Sequence, residues 1–263
     1  MRSPQGTLAM PRPGKALVGA MGILLFVWIA FAVAINYAKL DVEAFKLLAG
    51  NTPAILRGQV WRLLTAGLIH MPTGSEGVSH IVMVLLGLYF LGAPLEERWG
   101  SKRFALFLVG STVFGFVAQV AVEALLPSVV GQEYWFGAIG AVEAIAVAWA
   151  LSSRGQVVQL FFVLPVSATG LLIFVIGVSV LGLIARNHPS EGLVTPFGGM
   201  LAGYLFGAGG TPPARRLWLK LRYFWLSARA AKYRRSRPAL RVIDGEERSG
   251  LRPKPDVDKR TLN

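Results

Sequence analysis

Apolar residues run along this chain in long unbroken stretches, and the polar residues are gathered between them. The first stretch is Ala16 to Ile35. About twenty helical residues cross the ~30 Å hydrocarbon core of a bilayer, so this stretch predicts a membrane span. It is long for a signal peptide and no small-residue cleavage pattern follows, so it reads as an anchor. Four further stretches predict spans at Val78–Ala93, Phe104–Leu126, Trp135–Leu151 and Ala168–Ala185, and a short glycine-rich one at Val194–Ala208 makes the sixth. The second is expected to stop at Pro94-Leu95-Glu96-Glu97-Arg98, and the third at Pro127. The apolar segment 157–185 exceeds one span and is broken at Pro165, Ser167 and Thr169, which predicts a short re-entry up to Pro165 before the fifth span. The pattern is that of an all-α, polytopic six-helix bundle occupying residues 16–208. A polar segment, 1–15, precedes it and a tail, 209–263, follows.

Composition supports lipid as the solvent. Apolar residues make up 54% and charged residues only 16%, against about a quarter charged in a typical soluble domain. There is no cysteine, which excludes thiolate metal sites, disulfides and thiol nucleophiles. The net charge is concentrated at one end. From Thr211 onward fifteen Lys and Arg stand against five Asp and Glu, which gives +10 of the chain's +13.

Lys and Arg in the short loops set the expected orientation. Arg2, Arg12, Lys15, Arg98, Lys102, Arg103, Arg154 and the tail fall on one side, and Lys39, Lys46, Arg57, Arg62 and Arg186 on the other. The expected location is a bacterial plasma (inner) membrane with both termini cytoplasmic. Within the tail, Leu217, Leu221 and Phe224 share a helical face with Trp218 and Trp225 beside it, and Arg215, Arg216, Lys220 and Arg222 are read as lying largely opposite. Such a helix suits an anionic headgroup layer, and a basic stripe next to a span meets lipid before nucleic acid, so no nucleic-acid partner is expected. Residues 238–263 are expected to be disordered.

Small residues mark the expected helix contacts. Gly137, Gly140, Ala141, Ala144 and Ala148 form a strip on the fourth span, and Gly199, Gly203 and Gly207 recur at intervals of four on the sixth. This spacing lets helix backbones approach closely in lipid, so the two spans are predicted to touch through Gly140 and Gly199/Gly203, with Ala144 near Leu201.

Five ordered segments resemble a known family. They are Gly58-Gln59-Val60-Trp61-Arg62-Leu63-Leu64-Thr65 with His70, Ser79-His80-Ile81, Leu91-Gly92-Ala93-Pro94-Leu95-Glu96-Glu97-Arg98-Trp99-Gly100, Phe161-Phe162-Val163-Leu164-Pro165, and the glycines of the sixth span. Together they resemble the rhomboid intramembrane serine proteases over roughly residues 57–207. The resemblance implies a catalytic serine on the fourth span, a histidine on the sixth and an oxyanion asparagine four residues after the second-span histidine. Those positions hold Ile139, Pro196 and Val84, while His80 is kept, and the aromatic expected four residues after the serine is Glu143.

Acyl transfer needs a nucleophile with a base in hydrogen-bond reach. Isoleucine has no nucleophilic atom, and proline accepts no proton and has no N–H to donate. The expectation is therefore a rhomboid-like pseudoprotease with no catalytic residue and no cofactor, holding or routing transmembrane client proteins. The alternative is an active intramembrane serine endopeptidase drawing its nucleophile from elsewhere, such as Ser79, Ser111 or Ser179; a proton-sensitive transporter is a remote third.

His80, Glu143, Gly137, Gly140 and Phe197 are the candidates lining the client cavity. Glu143 is expected to be protonated or hydrogen-bonded to water and His80. Two ligands are fewer than a catalytic zinc needs, so no metal is expected. Trp61 and Arg62 are expected to pin the first loop, Arg62 through carbonyl hydrogen bonds. His70 and His188 read as solvated loop residues, and Glu123 is placed at the membrane interface.

Overall fold

The computed structural model describes residues 12–39, 42–153, 155, 157–160, 164–185, 190–207 and 212–235. Arg2, Arg154, Arg186, His188, the motif residues Phe161 to Val163 and the expected disorder at 238–263 lie outside them.

Among the described residues, three helices are long and apolar enough to cross a membrane. The first is α1 (Lys15–Asn36). Its N-terminus is held by a side chain from far along the chain: Glu96 Oε1 accepts from Ala16 N at 2.9 Å and Oε2 from Leu17 N at 3.0 Å. A carboxylate there satisfies two orphan amides and matches the helix dipole.

The second long helix, Gly77–Trp99, corrects the expected stop at Pro94. It consists of α5 (Gly74–Gly87), a π turn at Leu88–Gly92, and α6 (Ala93–Trp99). Pro94 falls in the first turn of α6, directly after the π turn, where a missing N–H is tolerated, so the helix passes through the proline. The third, α7 (Ser101–Leu125), ends before Pro127, which opens the short α8 (Pro127–Val130).

Between α1 and α5 the loop carries α2 (Glu43–Leu48), α3 (Thr52–Leu56) and α4 (Arg62–Thr65). Arg62 is buried and ties them: Nη1 donates to Lys46 O at 2.6 Å and Ala49 O at 2.5 Å, and Nε to Gln59 Oε1 at 2.7 Å. Trp61 is exposed.

Helix α9 (Ile139–Ser152) is shorter than the expected fourth span. Residues 135–138 instead run as an irregular segment whose amides find loop carbonyls: Trp135 exchanges both bonds with Gly50, Phe136 N donates to Ser190 O and Gly137 N to Ala66 O. Non-helical backbone is tolerated at this depth because it is enclosed by protein. Ten of the fourteen residues of α9 are buried, which puts it at the centre of the bundle.

Helix α11 (Thr195–Gly207) packs along α9. A Cβ on Gly199 would overlap the Gly140 carbonyl, and one on Gly203 the Ala144 carbonyl, so backbone lies on backbone. Ala144 therefore faces Gly203; Leu201, expected beside it, is exposed.

The predicted re-entry is also corrected. Val157–Leu160 (β1) and Leu164–Ser167 (β2) pair antiparallel, with Gln159 opposite Pro165. A two-stranded ribbon has free edges, which accommodates a proline. Ser167 then caps α10 (Ala168–Ile184), its Oγ accepting from Gly170 N at 3.0 Å. Only Ala168 and Leu171 of α10 are buried, which leaves its apolar surface to lipid.

The chain divides into two compact units between Trp218 and Leu219, inside α12 (Pro213–Arg235). Along α12 Arg215, Arg222, Arg229 and Arg216 lie on the half of the helix away from Leu217, Leu221 and Phe224, and Lys220 lies nearer that face. Arg215, Arg222 and Arg229, spaced by seven, form one stripe, and Arg216 and Lys220 another, while Leu219, Tyr223 and Leu226 occupy the far side.

Candidate functional site

Two helix starts meet at the centre of the bundle. Ile139 is the first residue of α9 and Pro196 the second of α11. A Cβ on Gly140 would lie 3.0 Å from Thr195 Cγ2, so the two N-termini abut. Pro196 and Val84 are buried, and Ile139 and Phe197 partly so.

His80, one turn before Val84 on α5, points its Nε2 at Glu191 Oε1 in ion-pair contact. The aliphatic stem of Glu191 crosses the face of Gly137, where a Cβ would stand 2.7 Å from Glu191 Cγ. Gly137 has φ +119°, so both its backbone and its missing side chain make room for this carboxylate. Glu191 carries no signal in the hydrophobic pattern, because it lies in a connection between spans.

The expected His80–Glu143 bond does not form. Glu143 lies a turn beyond Ile139 and is bonded to Ser179 on α10, Oγ to Oε1 at 2.9 Å. Its other oxygen is buried without a hydrogen-bond partner among the described residues. Its partner is therefore on a helix that otherwise faces lipid, because α9 turns this side of its surface toward α10 and away from α5.

His70 is not the solvated residue expected. It is buried, its ring centroid is 5.3 Å from that of His80, and Nε2 accepts from Ala138 N at 3.3 Å. It thus supports the backbone just ahead of Ile139. Burial, reinforced by the neighbouring His80, pushes the His70 imidazole down to about 4. The folded protein then binds fewer protons here than the unfolded chain between about pH 6.5 and 4, so stability falls as pH falls through that window. The loss is about 1.4 kcal/mol per pH unit, and about 3 kcal/mol across the window. Thermal unfolding in detergent at pH 7 and pH 5 is expected to show a larger acid loss for the native chain than for His70→Gln; equal losses would remove His70 as the cause.

Glu123 is likewise buried, not interfacial. It accepts from Thr52 Oγ1 at 2.7 Å and Gln119 Nε2 at 3.3 Å, while Gln119 Oε1 accepts from Val194 N at 2.8 Å. This chain of bonds links α3, α7 and the start of α11, and so fixes the segment that carries Glu191.

The site therefore holds two imidazoles and two carboxylates around a junction lined by Ile139, Pro196 and Val84. The hydroxyl closest to the junction, Thr195 Oγ1, is buried and has no hydrogen-bond partner among the described residues, so no base activates it. No group of three or more His, Asp or Glu placed to hold a metal occurs among the described residues.

A family model described as a rhomboid domain matches residues 57–212. The chain belongs to the rhomboid family. This rhomboid is an integral membrane protein built largely of helices. It is similar to the rhomboid protease GluP of Bacillus subtilis (strain 168), 27% identical over 203 residues, which covers 76% of this chain and 36% of that protein. It is also similar to the inactive RHOMBOID-like protein 8 of Arabidopsis thaliana, 31% identical over 94 residues, covering 35% of this chain and 25% of that one. Rhomboid-like protease 3 of Toxoplasma gondii is 27% identical over 115 residues, 43% of this chain and 42% of its own length. The rhomboid thus spans under half the length of each of these three relatives.

Proposed function

We propose that this rhomboid is catalytically inactive and that it holds or routes transmembrane client proteins. The observation behind this reading is the pair Ile139 and Pro196, at the starts of two abutting helices, where the family motif has its nucleophile and its base. Neither side chain can attack a carbonyl or accept a proton. The family includes members named as inactive, so fold and activity are separable within it. The client meets the bundle beside α5 and α10, where Glu143, Ser179 and His80 offer the polar contacts. The membrane is the bacterial plasma membrane, with both termini cytoplasmic and α12 resting on anionic headgroups.

The second reading, an active serine endopeptidase, is favoured by the names of the Bacillus and Toxoplasma relatives. One experiment separates the two. The full chain, carrying a photo-crosslinker at the exposed Met83 of α5, is co-expressed with a single-span reporter. Full-length reporter crosslinked to the rhomboid is the expected result. Cleaved reporter would establish the protease, and an intact reporter that never crosslinks would remove the client role.

A further inference from the structure

A groove lies beside the start of α7. Helix α6 ends at Trp99, Gly100 turns the chain with φ +79°, and α7 opens with Ser101-Lys102-Arg103. The Arg103 guanidinium lies over the Trp99 ring, 4.9 Å from its centroid, which fixes the cation at the mouth of the groove. The groove encloses about 400 Å³ and runs past Leu106, Phe107 and Gly110 to Phe114 and Phe206. A shallower hollow at its head adds Gly100, Ser101 and Lys102. The aromatic pair Phe114–Phe206, 5.9 Å apart edge to face, closes the foot. Gly110 keeps the middle open, since a Cβ there would meet nothing within 4 Å.

The dimensions suit one leaflet. From Arg103 to Phe114 a helix rises roughly 16 Å, close to half of the ~30 Å hydrocarbon core. Trp99 and the two cations have the composition of the membrane–water boundary, where tryptophan and basic side chains concentrate. The walls below are apolar apart from Ser111, whose hydroxyl donates to Leu108 O, and among the described residues no carboxylate lines either the groove or its head. We propose that this groove is a site for an anionic phospholipid, with one acyl chain lying from Leu106 to Phe206 and the headgroup phosphate held by Lys102 and Arg103. Guanidinium and ammonium groups favour a lipid of net negative charge, because the cationic headgroup of a zwitterionic lipid is repelled by the same two side chains.

The basic helix α12 also attracts anionic lipid, so the test is run in a full-length chain with Arg215, Arg216, Lys220, Arg222 and Arg229 changed to Gln. This protein is delipidated, then given phosphatidylglycerol or phosphatidylcholine of identical chains, and retained lipid is counted by native mass spectrometry. Phosphatidylglycerol is expected to be retained at least about tenfold more strongly. Lys102→Gln with Arg103→Gln should erase that preference. Gly110→Leu, which fills the groove where space is open, should lower retention of both lipids while leaving the unfolding temperature undiminished. The proposal is overturned if the tail changes alone abolish the preference, if it survives Lys102→Gln with Arg103→Gln, or if Gly110→Leu leaves retention unaltered.

Discussion

Treated with a fluorophosphonate probe, the purified protein is expected to remain unlabelled, because the proposed reading puts Ile139 at the place of the family's nucleophile. The single change Ile139→Ser should remain silent as well: Pro196 leaves the new hydroxyl without a base, and loss of one dyad member alone typically removes about 10⁴–10⁶ in rate. Ile139→Ser with Pro196→His restores both roles on helix starts that already abut. Labelling of this double variant is expected to be detectable but weak. Val84 supplies no oxyanion donor, a deficit of about 10²–10³ in rate. The nearby carboxylates Glu143 and Glu191 would also favour the protonated, inactive form of the new histidine. Adding Glu143→Gln keeps a partner for Ser179 while removing one charge, so the triple variant should label faster than the double. Labelling of the unmodified chain that vanishes with Thr195→Val or Ser79→Ala would overturn the inactive reading.

The second large effect is mechanical. Gly199→Ala is expected to prevent stable folding or cost at least about 3 kcal/mol, at the upper end of overpacking penalties. Its new Cβ would collide with the Gly140 carbonyl, and neither backbone can swing aside as a flexible side chain could. Gly177→Ala on α10 is the control. Nothing lies within 4 Å of a Cβ there, so the substitution should gain about 0.5–1 kcal/mol from helix propensity. The pair is read by unfolding temperature in detergent and by recovery from membranes. Similar outcomes for both variants would mean that the α9–α11 contact is not a tight one.

Hydrophobic run length located the three helices long enough to cross a membrane and the shorter apolar helices α9, α10 and α11, because the cost of placing polar residues in lipid forces that pattern. It also supplied the Gly140–Gly199–Gly203 contact, since close approach requires small residues at a fixed spacing. Run length could not show how residues 135–138 or 157–167 are folded. Both are apolar but irregular or extended, and their amides are satisfied by partners distant in sequence or by a strand made of equally apolar residues. The polar pairing was hidden for a related reason. Periodicity ranks faces of one helix, whereas Glu143 meets Ser179 and His80 meets Glu191 across different elements. Scarcity was the usable clue. From Phe104 to Gly207 the chain has only four carboxylates, Glu123, Glu133, Glu143 and Glu191, and all but Glu133 are buried. An acid retained in so apolar a region has to have a partner, and Glu191 could have been singled out on that ground.

The Glu96 carboxylate that holds the start of α1 has a consequence for the order of assembly. Its bond to Ala16 joins residues 80 apart in sequence. At a synthesis rate of 5–20 residues per second, α1 leaves the ribosome roughly 4–16 s before its terminal amides can meet that carboxylate. Through that interval the first amides of α1 are without the carboxylate that holds them in the folded chain. Arrival of α6 supplies it and fixes the start of the first helix against the bundle. Glu96→Gln, which cannot accept from Ala16, Leu17 and Ser101 together as well, should therefore slow the acquisition of protease resistance in a synchronised translation while leaving membrane insertion itself on schedule.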